Sequence, residues 1–201
     1  MHSLSPPGQD VPEPRNSCKA FARQTGGCVA DAGAALDVPD CFVAALLPMT
    51  TTMRIALYQP DQAGNVGTVI RLAACMGVPL DVIEPCGFPF SDRALKRAGM
   101  DYAEMAAVTR HAGWSAFEAG MAGRLVLFTT AGAVRLPDAR FGAGDVLLFG
   151  SESRGVPEEV HARAALRVRI PQVEGTRSLN LAVAAGIGLA EALRQKGAWP
   201  S

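Results

Sequence analysis

The amino-acid sequence predicts an α/β domain built on a mainly parallel sheet. From Met53 onward, short aliphatic runs alternate with stretches whose apolar residues recur at helical spacing. Two of those runs, Arg124 to Thr130 and Asp145 to Phe149, read as buried strands and end in small polar residues, the pattern of a covered sheet. The 201 residues hold one ordinary domain with a sizeable core. Ligands of such sheets collect beyond the carboxyl ends of the strands.

Residues 1 to 52 stand apart. They contain Pro6, Pro7, Pro12, Pro14, Pro39 and Pro48 and show neither helix nor strand periodicity, so they read as a poorly ordered leader. The apolar run from Cys41 to Leu47 follows Asp37 and Asp40 rather than a basic region, which argues against a signal peptide. Met49 or Met53 is the expected natural start.

Residues 53–201 form the expected single domain. Arg54 to Tyr58 reads as the first strand and Val66 to Met76 as a helix with Val69, Ile70, Leu72, Ala73 and Met76 inward. Leu80 to Ile83 is the second strand. Ser91 caps an expected helix from Asp92 to Ala98, closed by Gly99. Glu104 to Val108 reads as a third strand and Ser115 to Met121 as a helix. Arg124 to Thr130, Asp145 to Phe149 and Val168 to Ile170 complete the strands, and their ends converge on one place. A final helix, capped by Ser178, has Leu181, Ala184, Ala185, Gly188, Leu189, Ala192 and Leu193 inward. Gly186 and Gly188 each cost that helix about 1 kcal/mol against Ala, which close packing or a ligand offsets.

Nineteen basic and nineteen acidic residues leave no net charge, which argues against a strongly electrostatic nucleic-acid binder while leaving room for a local basic patch. The first 52 residues carry three basic and five acidic groups, so the remainder has a slight positive excess. No apolar run reaches the length of a membrane span. The five cysteines lack a CxxC pair, so neither a disulfide framework nor a metal site is expected, and a reducing, cytoplasmic setting fits. His111 and His161 lack ligand spacing and carry no catalytic expectation.

Three stretches carry the chemistry. In Phe149-Gly150-Ser151-Glu152-Ser153-Arg154-Gly155 a strand opens into Gly150, where a ligand can approach the backbone, and Glu152 offers a carboxylate to a cationic partner; a tight turn with a solvated Glu is the alternative. In Gly64-Asn65-Val66-Gly67-Thr68, Asn65 caps the helix and Arg71 projects toward the loop, or forms a surface ion pair. The glycines there read GxxG, not GxGxxG, so a nicotinamide dinucleotide is poorly supported. In Ile170-Pro171 through Ser178-Leu179-Asn180-Leu181, a strand, a polar loop and a helix start expose backbone groups beside Ser178 and Asn180. Arg93, Lys96 and Arg97 share one helix face and Tyr102 follows, a phosphate-contact face with a stacking aromatic or else a solvated face.

The order and content of these stretches resemble the SpoU/TrmH branch of the SPOUT RNA 2′-O-methyltransferases. The resemblance runs from Met53 to about Lys196. Within the branch, the compact size and the block from Ile83-Glu84-Pro85 to Asp101-Tyr102 are most similar to members that methylate the wobble pyrimidine, position 34, of tRNA. It implies an α/β trefoil knot, a homodimer and bound S-adenosylmethionine, with the anticodon stem-loop of tRNA as partner and no membrane or DNA. A knot does not follow from periodicity, which gives an open doubly wound sheet because threaded chains are rare. The resemblance further implies that Phe128, Thr129, Gly150, Ile170, Ser178 and Leu179 contact the cofactor. It implies that Arg71, Glu152, Ser178 and Asn180 serve catalysis and that Arg93, Lys96, Arg97 and Tyr102 meet RNA. The reaction implied is attack of a ribose 2′-hydroxyl on the sulfonium methyl, accelerated chiefly by positioning. Because a guanidinium stays protonated to about pH 12 or above, Arg71 is expected to clamp the target phosphate rather than act as a base. The loop before Asn65 has Ala63-Gly64 where the family often has Pro, and Ser151 stands where close relatives often have Pro.

Overall fold

Largely aliphatic runs at Arg54–Tyr58 (β1), Leu80–Ile83 (β2), Leu125–Phe128 (β4) and Val146–Phe149 (β6) form strands buried almost throughout, as their predominantly apolar character requires. The computed structural model describes residues 52–89 and 107–200. Val108–His111 (β3), Val134–Arg135 (β5) and Leu166–Arg169 (β7) complete a seven-stranded sheet in the order β3-β2-β1-β6-β4-β7-β5, with every pairing parallel. The chain therefore runs out to the edge at β5, returns to the centre at β6 and goes out again to β7.

Helices cover both faces. On one side lie α1 (Ala63–Met76) and the last helix, α4 (Leu181–Lys196), over a core of Ile55, Leu57, Val126, Phe128, Leu147 and Val168. On the other lie α2 (Trp114–Gly120) and α3 (Glu158–Arg163), where Phe117 and Val160 pack on Ala56, Leu127 and Leu148. The inward faces expected for α1 and α4 agree with the structure: Val69, Ile70 and Ala73 are buried in α1, and Leu181, Ala185, Gly188, Leu189, Ala192 and Leu193 in α4. Among the described residues no helix is long and apolar enough to cross a membrane.

Several boundaries differ from expectation. The third strand is Val108–His111 rather than Glu104 to Val108, because the parallel ladder aligns Leu80 with Val108 and Ile83 with His111. Helix α1 starts a turn early, at Ala63, with Gln62 rather than Asn65 at its N-cap. Asn180, not Ser178, caps α4: its Oδ1 accepts from the N–H groups of Ala182 and Val183 at 2.9 and 3.3 Å. Strand β5, a 3₁₀ turn at Leu136–Asp138 and helix α3 are too short for periodicity to register. The expected helix at Asp92 to Ala98 lies outside the described residues.

Among the described residues two carboxylates are buried, and both are paired. Asp81 accepts from Arg54 Nε and Nη2, each at 2.8 Å, and lies 2.8 Å from His111 Nε2. Asp145 accepts from Arg124 and from the Gly142 N–H. Each ties a strand end to its neighbour away from the cleft described next.

Candidate active site

Strands β4, β6 and β7 end side by side, and the chain leaving each one turns away to form a wall. The result is a cleft of about 590 Å³ whose floor includes Leu127, Phe149 and Val168. Its rim carries polar groups from three separate parts of the chain: Asn65 from α1, Glu152 after β6, and Ser178 and Asn180 before α4. A volume of this size, apolar below and polar at the edge, is typical of small-molecule sites.

Those polar groups are joined. Glu152 Oε1 accepts from Asn65 Nδ2 at 2.8 Å, and Asn65 Oδ1 accepts from Asn180 Nδ2 at 2.9 Å. The other carboxylate oxygen, Oε2, accepts from the backbone N–H of Asp61 at 2.7 Å, while Asp61 Oδ2 accepts from the backbone N–H of Ser153 at 2.8 Å. Asn180 simultaneously caps α4, so the start of the last helix, the first turn of α1 and the loop after β6 are held in one path. Gln59, in the left-handed region at φ 44°, turns the chain out of β1 and delivers Asp61 to this path.

The loop after β6 is a tight hairpin. Ser151 and Gly155 exchange backbone hydrogen bonds at 3.0 and 2.9 Å, and Ser151 Oγ accepts from the Arg154 N–H at 3.1 Å. The expected reason for Gly150 changes accordingly. A Cβ there would lie 2.6 Å from the carbonyl carbon of Gly155, so the absent side chain serves the hairpin's own closure rather than a ligand's approach. Gly188 serves the aromatic floor. A Cβ on it would meet the Phe128 ring at 2.7 Å, and that ring stacks on Phe149 with centroids 4.7 Å apart.

Phe128, Thr129, Gly150, Ile170, Ser178 and Leu179 all line the cleft. So do Glu152 and Asn180. Arg71 is exposed on α1, outside the cleft lining. Arg93, Lys96, Arg97 and Tyr102 lie outside the described residues. Asp61 and the bridging role of Asn65 escaped sequence reading because both depend on contacts 87 to 115 residues away; only Asn65's place beside a glycine-rich turn gave a signal. His161, set aside for want of ligand spacing, also lines the cleft. Among the described residues no group of three or more His, Cys, Asp or Glu is placed to hold a metal.

The profile of the SpoU rRNA Methylase family matches residues 52–190, which spans the whole sheet and all three cleft-forming stretches. The chain belongs to this family. Among SpoU-family relatives, the tRNA (cytidine(34)-2′-O)-methyltransferase of Ancylobacter novellus is 51% identical over 149 residues, covering 73% of this chain and 94% of its own. A solved structure described as giving insights into the 2-OH methylation of C/U34 on tRNA is 44% identical, with TM-score 0.69 over 73% of this chain and 97% of that one. An AdoMet-bound rRNA methyltransferase from Sinorhizobium meliloti is 32% identical, with TM-score 0.65, covering 73% of this chain and 57% of that one. The SpoU fold in this chain thus carries its motifs on the cleft where three parallel strands end.

Proposed function

We propose that this chain transfers a methyl group from S-adenosylmethionine to the ribose 2′-hydroxyl of the pyrimidine at position 34 of tRNA, and that residues 53–201 are the methyltransferase domain. One observation carries the reading: the hydrogen-bonded path from Asn180 through Asn65 to Glu152 along the rim of a cleft at the strand ends. The high identity to a relative named for that reaction, over nearly all of its length, supports the substrate.

The cleft fits the cofactor's chemistry. An apolar floor at Leu127, Phe149 and Ile170 suits a heterocycle, and Thr129, Ser178 and backbone groups beside Gly150 and Leu179 suit a polar amino-acid end. When bound, S-adenosylmethionine supplies a methyl group already activated on a sulfonium. Glu152 places a negative charge at the rim, favouring a cationic ligand there. Asn65 and Asp61 hold that carboxylate by both oxygens, so it stays aimed without cost during turnover. Asn180 fixes the loop carrying Ser178 and Leu179 to the same frame. Arg71 acts from outside the cleft wall as a clamp on the target phosphate, which orients the hydroxyl.

The working form is a cytoplasmic homodimer. Val183 and Ile187, one turn apart on α4, are exposed together with Leu179 just before the helix, an apolar patch suited to a second copy. Arg93, Lys96, Arg97 and Tyr102 are the proposed contacts for the anticodon stem-loop. A trefoil knot is the proposed threading. It is supported by the return of the chain from edge strand β5 to central β6, and by the loop at Gly132, where a Cβ would lie 2.5 Å from the backbone of Val168 and Arg169.

The test is methyl transfer from labelled S-adenosylmethionine to tRNA from a strain lacking this protein, with nucleosides mapped. Label on a position-34 2′-O-methylpyrimidine is expected. Label at another RNA nucleotide retains the reaction and discards the target. Arg71→Ala is expected to abolish transfer while S-adenosylhomocysteine still binds; normal turnover would refute the clamp.

A further inference from the structure

Five arginines among the described residues are paired with carboxylates: Arg54 with Asp81, Arg110 with Glu84, Arg124 with Asp145, Arg163 with Glu118 and Arg194 with Glu191. Three others on the outer strands are not. Arg135 on β5 and Arg167 and Arg169 on β7 are exposed, and none has an ion pair or side-chain hydrogen bond among the described residues.

The sheet register places these three on one surface. Val168 is fully buried in the core beneath α1 and α4, so its neighbours Arg167 and Arg169 project from the opposite face. Arg135 is level with Arg169 in the parallel ladder and shares that face. Among the described residues, helices α2 and α3 cover this side only over β1, β2, β4 and β6, and no residue of β5 or β7 belongs to the core beneath them. Three guanidinium groups therefore stand on a stretch of sheet that no helix among the described residues covers. By strand geometry they are spaced about 7 Å along β7 and about 5 Å across to β5.

Like charges directly opposite each other destabilise a sheet. A charge on an edge strand protects it from pairing with another sheet, which accounts for Arg135. Edge protection does not account for a second arginine level with the first and a third two residues away. A polyanion does. The spacing suits separate phosphates better than a single anion, and the surface is continuous with the cleft: Arg169 precedes Ile170, which lines it, and exposed Arg154 stands at its rim.

We infer that Arg135, Arg167 and Arg169 form a phosphate-binding face for the RNA backbone flanking the target nucleotide. The inference rests on the RNA-methyltransferase reading above and adds a surface distinct from the 93–102 segment and from the cleft. Arginine supplies the charge and keeps its stem on the sheet, so its neutral replacement by Gln removes phosphate binding while retaining most of the packing.

The experiment measures tRNA binding by the full chain against salt, for the wild type and for the triple variant Arg135→Gln, Arg167→Gln, Arg169→Gln. Each phosphate contact steepens the dependence of log affinity on log salt by about 0.7 to 0.9, so three contacts account for a difference of roughly 20- to 40-fold between about 50 and 200 mM salt. The triple variant is expected to lose that much of the salt dependence, to bind tRNA more weakly at low salt, and to keep its affinity for S-adenosylhomocysteine. The triple Lys variant is expected to restore both slope and affinity. If the Gln triple variant does not fold, the three single Gln variants are read instead, each expected to lower the slope by about one contact's share. An unchanged slope in folded variants, with wild-type methylation of tRNA intact, overturns this face alone. A wild type that neither binds nor methylates RNA overturns the methyltransferase reading as well.

Discussion

Replacing Asn65 cuts the rim path at its middle, where one side chain donates to Glu152 at 2.8 Å and accepts from Asn180 at 2.9 Å. Asn65→Ala removes both bonds. A hydrogen bond to a charged acceptor contributes about 1.5–3 kcal/mol and a neutral one about 0.5–1.5 kcal/mol. Glu152 is only partly buried and Asn180 is exposed, so the lower ends apply and the loss is about 2 kcal/mol. That corresponds to roughly a 30-fold smaller population of the ordered rim. Asn65→Asp sharpens the test because it is nearly isosteric and still accepts from Asn180. It also sets a second carboxylate against Glu152 in place of a donor, a repulsion on the order of 1–4 kcal/mol depending on screening. Calorimetry with S-adenosylhomocysteine, denaturant midpoints and methyl transfer are the readouts. Asn65→Ala is expected to weaken binding and transfer by one to two orders of magnitude, and Asn65→Asp to do worse than Asn65→Ala at neutral pH. If Asn65→Asp matches the wild type, or outperforms Asn65→Ala, the path does not hold the site together.

Gly188→Ala adds a Cβ 2.7 Å from a Phe128 ring that stacking on Phe149 keeps from moving away. Overpacking costs about 1–3 kcal/mol, of which better helix propensity returns about 1 kcal/mol. A lower melting temperature with weaker cofactor binding is expected; a rise in both contradicts the packing. At Cys86, burial, reinforced by the Glu84 charge, pushes the thiol up to about 11. Since the thiolate is the reactive form, iodoacetamide at pH 8 is expected to label exposed Cys75 well before Cys86, with Cys86 labelling accelerating as pH rises toward 11. Equal labelling at pH 8, read by mass spectrometry, contradicts the burial.

Much of the site was legible because it sits at strand ends. Phe128-Thr129, Gly150 and Ile170 each follow an apolar run, and a parallel sheet puts all such ends on one edge; the order β6-β4-β7 then makes these three neighbours. What each residue does there was less legible. Gly150 read as an opening for a ligand, yet it faces Gly155 of its own hairpin. Ser178 read as the cap of α4 because it precedes the apolar pattern, yet Asn180, two residues on, makes the bonds. Caps and close approaches depend on the dihedral angles of single residues, which periodicity averages away. Asp61 left no trace at all, since its partners Glu152 and Ser153 lie about 90 residues downstream.

The amino-acid sequence by itself determined the class of fold, the inward faces of α1 and α4 and the three stretches that meet at the cleft. These follow from hydrophobic period and from turn chemistry, which act over a few residues. Only the tertiary structure decided the strand order, the path from Asn180 to Glu152 and the arginine face on β5 and β7. Arg135 and Arg169 are separated by an entire strand, a helix and their loops, and become neighbours only when β7 inserts between β4 and β5. Long-range register is set by the packing of the whole core, so no local pattern encodes which charges it will bring side by side.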